Sequence, residues 1–102
     1  MDQRLKLQNK LEEFLGSRNV YYQPPETIRM EYPAIMYAKD DIETIHADDS
    51  IHLKNTRYKI TVIDRKPDNP VIDKLLKNIQ YCSFDTHYIS DNLHHDVLIL
   101  YY

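Results

Sequence analysis

The chain contains a single glycine, Gly16, among its 102 residues. Glycine-rich loops bring backbone amides close to a phosphate, so neither a dinucleotide-binding fingerprint nor a P-loop can be built from this sequence. Collagen-like repeats and glycine-rich linkers are excluded for the same reason. Turns that need a positive φ must therefore use mainly Asn or Asp, which adopt that conformation at a greater cost than glycine.

Length and composition predict one soluble domain spanning 1–102. A chain of this length buries about 65% of its unfolded surface, enough for one modest core but not for a core and a deep substrate cavity. Hydrophobic residues make up 42% of the chain, and nine residues are tyrosine, which argues against disorder. Cys82 is the single cysteine, and neither a secretory signal nor a membrane-length apolar run is found. We therefore expect an intracellular protein with no membrane partner.

Two segments have the apolar spacing of amphipathic helices. The first covers 3–16, with Asp2 as a cap at its start and Gly16 in the left-handed conformation at its end. The second covers 69–79, where Asn69 caps the helix and the proline that follows sits in the first turn, where its missing N–H costs no hydrogen bond.

The remaining segments predict strands. A short strand at 20–22 precedes two long strands at 34–46 and 51–64, and two further strands follow at 81–89 and 97–102. The last strand is apolar throughout, so we expect it at the centre of the sheet with both of its faces covered. The predicted fold is α+β, with two helices packed on one mostly antiparallel sheet.

The distal part of the long hairpin, about 39–56, is polar on both faces and is expected to project from the body. Its two arms carry opposite charges, and two interpretations of this pattern remain open. The arms stabilise each other across the strands, by roughly a few tenths of a kcal/mol per pair, or oppositely charged surfaces of neighbouring copies meet and fix their register. The candidate subunit-interface residues are Asp40, Asp41, Glu43, Asp48, Asp49, Lys54, Arg57, Lys59, Arg65 and Lys66.

Potential metal ligands gather near the end of the chain, where His94, His95 and Asp96 follow His87 and Cys82. Their spacing does not match a closed zinc pattern, and adjacent residues of an extended chain point to opposite faces. We therefore interpret this segment as a polar turn with one half-buried histidine. The sequence predicts no metal site, no cofactor and no catalytic residue.

The Asp64-Arg65-Lys66 segment has the D-x-K spacing of one class of metal-dependent nuclease and lies at a strand end, as that chemistry requires. Three-residue patterns often occur by chance, so a small nuclease using Asp64 and Lys66 is kept only as an alternative. Specific nucleic-acid binding is not expected, because the net charge is −3 and the tyrosine-rich segments lack basic residues.

Three segments resemble small proteins of long-tailed bacteriophages. Residues 58–68 match a strand-to-helix pattern, Y-x-[IV]-T-[VI]-I-D-x-x-P-D. Residues 81–88 resemble the strand that follows in those proteins, and residues 90–97 resemble their closing D-N-L-x-H-D pattern. The resemblance covers 33–102, about two-thirds of the chain. Proteins of this kind are described as minor capsid, head-tail joining, tail-completion or tail-terminator proteins.

The resemblance implies a subunit of a homo-oligomeric ring, commonly a hexamer, that caps the tail tube and joins it to the neck. The implied partners are further copies of the chain, the major tail tube protein and head-completion or neck proteins, while DNA only passes through the channel. The implied location is the head–tail junction of the virion, after assembly in the host cytoplasm. Alternatives are a head-completion or stopper protein of the neck, the nuclease, and a host-binding adaptor module.

Overall fold

The computed structural model of the chain describes residues 3–47 and 50–102, with side chains for 4–40 and 56–102. Its strands form one sheet in the order β1 (Val20–Tyr22), β2 (Ala34–Ala47), β3 (Ser50–Asp64), β5 (Leu93–Tyr101), β4 (Tyr81–Ser90). Strands β1 and β2 are parallel, and all other pairs are antiparallel. The two helices pack against this sheet, which confirms the predicted α+β fold. The elements are α1 (Gln3–Leu15), β1 (Val20–Tyr22), β2 (Ala34–Ala47), β3 (Ser50–Asp64), α2 (Val71–Asn78), β4 (Tyr81–Ser90) and β5 (Leu93–Tyr101).

Helix α1 begins and ends close to where the sequence predicts. Its apolar stripe buries Leu7 and Leu11 completely against the sheet. Gly16 has a φ of 80° and donates its N–H to the Glu12 carbonyl at 2.9 Å, so the single glycine closes the helix in the left-handed conformation as predicted. The predicted cap, Asp2, lies outside the described residues.

Helix α2 depends on the residues just before it. The Asn69 side-chain oxygen accepts the Val71 N–H at 2.9 Å, and Pro70 already has helical dihedral angles (φ −64°, ψ −14°). These observations confirm the predicted capping role of Asn69. Asp73 in the first turn and Lys77 in the last turn complement the helix dipole.

The hydrophobic core lies between the helices and one face of the sheet. Residues Tyr58, Ile60 and Val62 of β3 alternate onto this face, as the sequence pattern predicts. The full core is Leu7, Leu11, Val20, Ile35, Tyr37, Tyr58, Ile60, Val62, Val71, Leu75, Ile79, Leu98 and Leu100.

Strand β5 occupies the inner position that the sequence predicts, between β3 and β4. The expected cover of both faces is found in part: the helices cover one face, and on the other face Val97 is buried. Leu98 and Leu100 face the helices and are fully buried, whereas Ile99 and Tyr101 on the other face stay partly exposed.

The long hairpin projects beyond the rest of the sheet. Strands β2 and β3 pair from Ala34↔Ile63 to Ala47↔Ser50, whereas the chain beside β3 follows it only as far as Thr56, which accepts the Tyr102 N–H at 3.1 Å. Beyond this point, the described arms pair only with each other. The domain is correspondingly elongated, with extents of 51 × 28 × 23 Å.

The connection between β4 and β5 is a two-residue turn without glycine. Asp91 and Asn92 both have positive φ values, 52° and 62°, and Ser90 pairs with Leu93. Two positive φ values at the central positions define the type I′ turn, whose twist matches that of an antiparallel hairpin. The expectation that Asn and Asp take over from glycine is confirmed here, although Gln23 also has a positive φ of 42°.

Candidate functional site

Strand β4 is a long edge strand with an apolar surface. Among the described strands it pairs only with β5, and every residue in it except Cys82 is exposed. Four large apolar side chains lie on it with 46–63% exposure, and together with the open backbone of the strand we call this surface the β4 edge: Tyr81, Phe84, Tyr88 and Ile89. Unpaired N–H and C=O groups along such an edge are a template for pairing with another strand.

The β4 edge has few of the features that prevent strand pairing. Proteins commonly protect an open edge with lysine, proline or a bulge. Strand β4 has neither lysine nor proline, and its one formal charge is Asp85. The register shifts between Phe84 and Thr86, which is a bulge limited to the middle of the strand. The sequence predicts the strand itself but not its exposure, because exposure depends on the order of strands in the sheet.

A second open edge runs along the distal part of the hairpin. From Ser50 to Asn55 the described backbone of β3 pairs with β2 alone. This open part, 50–55, includes Lys54 and no acid, whereas Arg57 and Lys59 lie where β3 also pairs with β5. In the described sheet the outer side of β4 and the outer side of β3 at 50–55 are therefore open, as are the edge strand β1 and the outer side of β2 beyond Tyr37. Of the first two, the open part of β3 has Lys54 as its one formal charge, and β4 has Asp85.

The base of the hairpin contains an ion pair between its two arms. Arg57 Nε lies 2.9 Å from Asp40 Oδ2, and both side chains are more than a third exposed. The register passes from Lys39↔Tyr58 to Asp41↔Arg57, so Asp40 is the extra residue of a bulge. An exposed pair of this kind contributes about 0–1 kcal/mol. At this position the arms interact within one chain, as the first interpretation of the charge pattern expects.

The structure distributes the predicted interface residues over two regions. Three of them, Asp41, Glu43 and Lys54, occupy paired positions in the two arms of the hairpin. Asp48 and Asp49 lie outside the described residues. Arg65 and Lys66 follow the far end of β3. The eleven residues from Lys54 to Asp64 make ten steps along β3, about 33 Å at roughly 3.3 Å per residue, and Arg65 lies beyond them, so these residues do not form one surface.

The D-x-K segment is part of a turn. Asp64 Oδ1 accepts the Lys66 N–H at 3.3 Å, and Asp64 Oδ2 accepts the side-chain N–H of Asn69 at 2.8 Å. Both carboxylate oxygens therefore hold the chain on its way into α2, with Asn69 serving also as the helix cap. In the described part of the chain, no group of three His, Cys, Asp or Glu side chains is arranged to hold a metal ion.

The histidines of β4 and β5 lie on different faces of the sheet. His87 and His94 lie on the face of the core, where His87 Nδ1 is 2.6 Å from Asp96 Oδ1. His95 lies on the opposite face and stacks on Tyr88, with ring centroids 4.6 Å apart and planes 11° apart. The prediction that His94 and His95 point to opposite faces is confirmed. The contact between His87 and Asp96 could not be predicted from the spacing of these residues in the sequence.

A groove of about 500 Å³ lies on the face opposite to the helices. It runs between Pro24, Lys59, Val97 and Tyr88, so it borders the β4 edge. Among the described lining residues there is no acid, histidine, serine or cysteine. Its polar lining residues include Lys39, Lys59, Thr61 and Thr86, so the groove offers both polar and apolar contact area.

Cys82 is the partly buried residue of β4. Burial raises the pKa of its thiol to about 11, from 9.0. Since the thiolate is the nucleophilic form, this cysteine is poorly reactive at neutral pH.

Comparisons with known proteins give no family assignment. A scan against protein-family models finds no matching family, and a search of curated proteins finds no significantly similar sequence. None of the described helices has the length and apolar character needed to cross a membrane. Support for a function therefore comes from the residue patterns of the chain and from the geometry of its strands.

Proposed function

We propose that this chain is a structural subunit of a bacteriophage virion. It acts at the head–tail junction as a tail-terminator or tail-completion protein, forming a ring that caps the tail tube and joins it to the neck. The observation that carries this proposal is that two of the open strand edges, β4 on the body and β3 on the projecting hairpin, carry charges of opposite sign. The resemblance of residues 33–102 to small phage proteins gives the assembly its biological setting.

Two different edges on one chain favour a head-to-tail assembly. When the β4 edge of one copy meets the open part of β3 from the next, both edges of every inner copy are used, and the row of copies keeps one unused edge at each end. Such heterologous contacts close into a ring when the rotation between copies closes, and otherwise continue as a filament. A terminator needs the closed form, because a ring ends the tail instead of extending it.

The charges of the two arms favour β3 over β2 as the strand that pairs with β4. The β2 arm carries Asp40, Asp41 and Glu43, which would repel Asp85 of the β4 edge. The β3 arm carries Lys54 and no acid, so it is the complementary partner. Backbone hydrogen bonds and the apolar side chains of β4 supply affinity in such a contact, and the charges fix its register.

The same ring accommodates passing DNA. The chain has a net charge of −3, and carboxylates repel the phosphate backbone. A channel wall built from such subunits lets DNA pass without holding it. The partners are then further copies of the chain, the major tail tube protein and the head-completion proteins of the neck.

The test is assembly with purified virion components. We expect the chain to sediment with tail tubes and to stop their growth at one end, as seen by electron microscopy with labelled chain. Binding to the portal side of the neck in the absence of tails would instead support a head-completion or stopper protein. A chain that stays monomeric and binds neither component would contradict the proposal.

A further inference from the structure

Three polar side chains form a hydrogen-bonded row on the core side of β4 and β5. His87 Nδ1 lies 2.6 Å from Asp96 Oδ1, and His87 Nε2 lies 3.3 Å from His94 Nδ1. In the strand register His87 is opposite Asp96, and Ile89 is opposite His94. The row therefore links two histidines on neighbouring strands to one carboxylate, which is only 8% exposed.

The carboxylate sets the tautomer of His87. An ionised Asp96 can only accept a hydrogen bond, so Nδ1 of His87 carries the hydrogen. Nε2 of a neutral His87 then has a free lone pair, and this atom faces His94. Histidines that bind metals usually donate their other ring N–H to a carboxylate or carbonyl, which orients the ring and makes the ligating nitrogen more basic.

The distance between the facing ring nitrogens fits a shared metal ion. Two imidazole nitrogens bound to one tetrahedral zinc ion at about 2.0–2.1 Å from the metal are about 3.3–3.4 Å apart. The observed separation of His87 Nε2 and His94 Nδ1 is 3.3 Å. A metal ion would replace the hydrogen between these two nitrogens.

The local backbone keeps the two histidines in register. His94 follows the tight turn at Asp91 and Asn92, both of which adopt positive φ. A two-residue turn of this type fixes the pairing of the strands that it joins. The two histidines are therefore carried by strands whose pairing a two-residue turn fixes.

We infer that His87 and His94 bind one divalent transition-metal ion of the zinc class, with Asp96 as the hydrogen-bond acceptor that orients His87. Imidazole ligands suit Zn²⁺, Ni²⁺ and Cu²⁺. The His87 side chain is 36% exposed, so water completes the coordination. Asp64 is opposite His94 in the β3–β5 register, but its oxygens already accept hydrogen bonds from Lys66 and Asn69 and are not counted as ligands.

The test is titration of the full chain with Zn²⁺ alone, followed by calorimetry and by competition with a chromophoric chelator. We expect one site in the wild-type chain and at least tenfold weaker binding in His87→Gln and in His94→Gln. Asp96→Asn should weaken binding by about 10–100-fold, the usual effect of losing an outer-shell partner. His95→Gln is the matched control, because His95 lies on the other face and should change the affinity less than twofold.

A second readout does not depend on affinity. On addition of Zn²⁺, the ring-proton signals of His87 and His94 should shift in NMR spectra, while those of His95 stay in place. Circular dichroism of each variant checks that it is folded. Equal Zn²⁺ binding by the wild type and by the folded His87→Gln/His94→Gln double variant would overturn the inference. So would a loss of binding in His95→Gln as large as that in His94→Gln.

Discussion

Replacing Ile89 with lysine tests the β4 edge without disturbing the fold. Ile89 is 61% exposed in the single chain, and nothing in the core cluster depends on it. A substitution at such a position changes the free energy of unfolding by roughly 0.5 kcal/mol or less. Lysine is also the residue that proteins commonly place on edge strands to prevent pairing.

The expected effect on assembly follows from the exposed area. Full burial of an isoleucine side chain contributes about 1.5–3 kcal/mol, and more than half of Ile89 remains to be buried by a partner. Losing this contact removes about 1–2 kcal/mol from each subunit contact, which weakens it by roughly 5–30-fold. The desolvation of the new ammonium group adds to this loss.

The assay is light scattering over a dilution series, with thermal unfolding of each variant measured in parallel. Leu5→Lys is the control, because Leu5 is 44% exposed on α1, away from the β4 edge. We expect Ile89→Lys to dissociate at a higher protein concentration than the wild type, and Leu5→Lys to behave as the wild type. Normal assembly of a folded Ile89→Lys chain would refute the role of the β4 edge, as would equal disruption by Leu5→Lys.

Three further outcomes are expected. Replacing 43–55 with an Asn-Gly turn keeps the Ile42↔Thr56 pair next to the turn. This change should leave the cooperative thermal transition of the domain in place but abolish ring formation; loss of the transition would show that the hairpin is part of the stable body. Tyr37→Phe removes the hydroxyl that donates to Gln8 Oε1 at 2.5 Å and should lower the free energy of unfolding, measured by urea titration, by about 1–3 kcal/mol. An unchanged midpoint of the urea transition would mean that this hydrogen bond makes no net contribution to stability. Burial raises the pKa of Cys82 to about 11, so the thiol loses its proton at a lower pH in the unfolded chain, and the free energy of unfolding should fall as pH rises from about 9 to 11. In Cys82→Ala this part of the decline should disappear. The same pH profile in the wild type and the variant would contradict this prediction.

Local signals account for what the sequence predicts well. Gly16 and Asn69 end and start helices through hydrogen bonds to residues within four positions along the chain. Alternation in β3 likewise follows from the pleat of a single strand. These features need no knowledge of the rest of the fold, and they are where the prediction and the structure agree.

The structure differs from the sequence-based prediction where a feature depends on contacts between different elements of the fold. Residues 81–89 have a strand pattern, but their exposure follows from the edge position of β4, which sequence spacing does not encode. The partial exposure of Ile99 and Tyr101 on β5 has the same origin, since both helices pack on the other side of the sheet. The contact of His87 with Asp96 requires the strand register, and the role of Asp64 in its turn requires the position of Asn69.

The molar mass of the assembled chain tests the central claim most directly. It is measured by light scattering during size-exclusion chromatography, with the chain alone and with purified tail tubes added. The ring proposal predicts one closed species at a fixed multiple of the 12.3 kDa subunit, about 74 kDa for six copies, formed by the chain alone or released from isolated tails. A 12.3 kDa monomer at every concentration, with no association with tails, would contradict it.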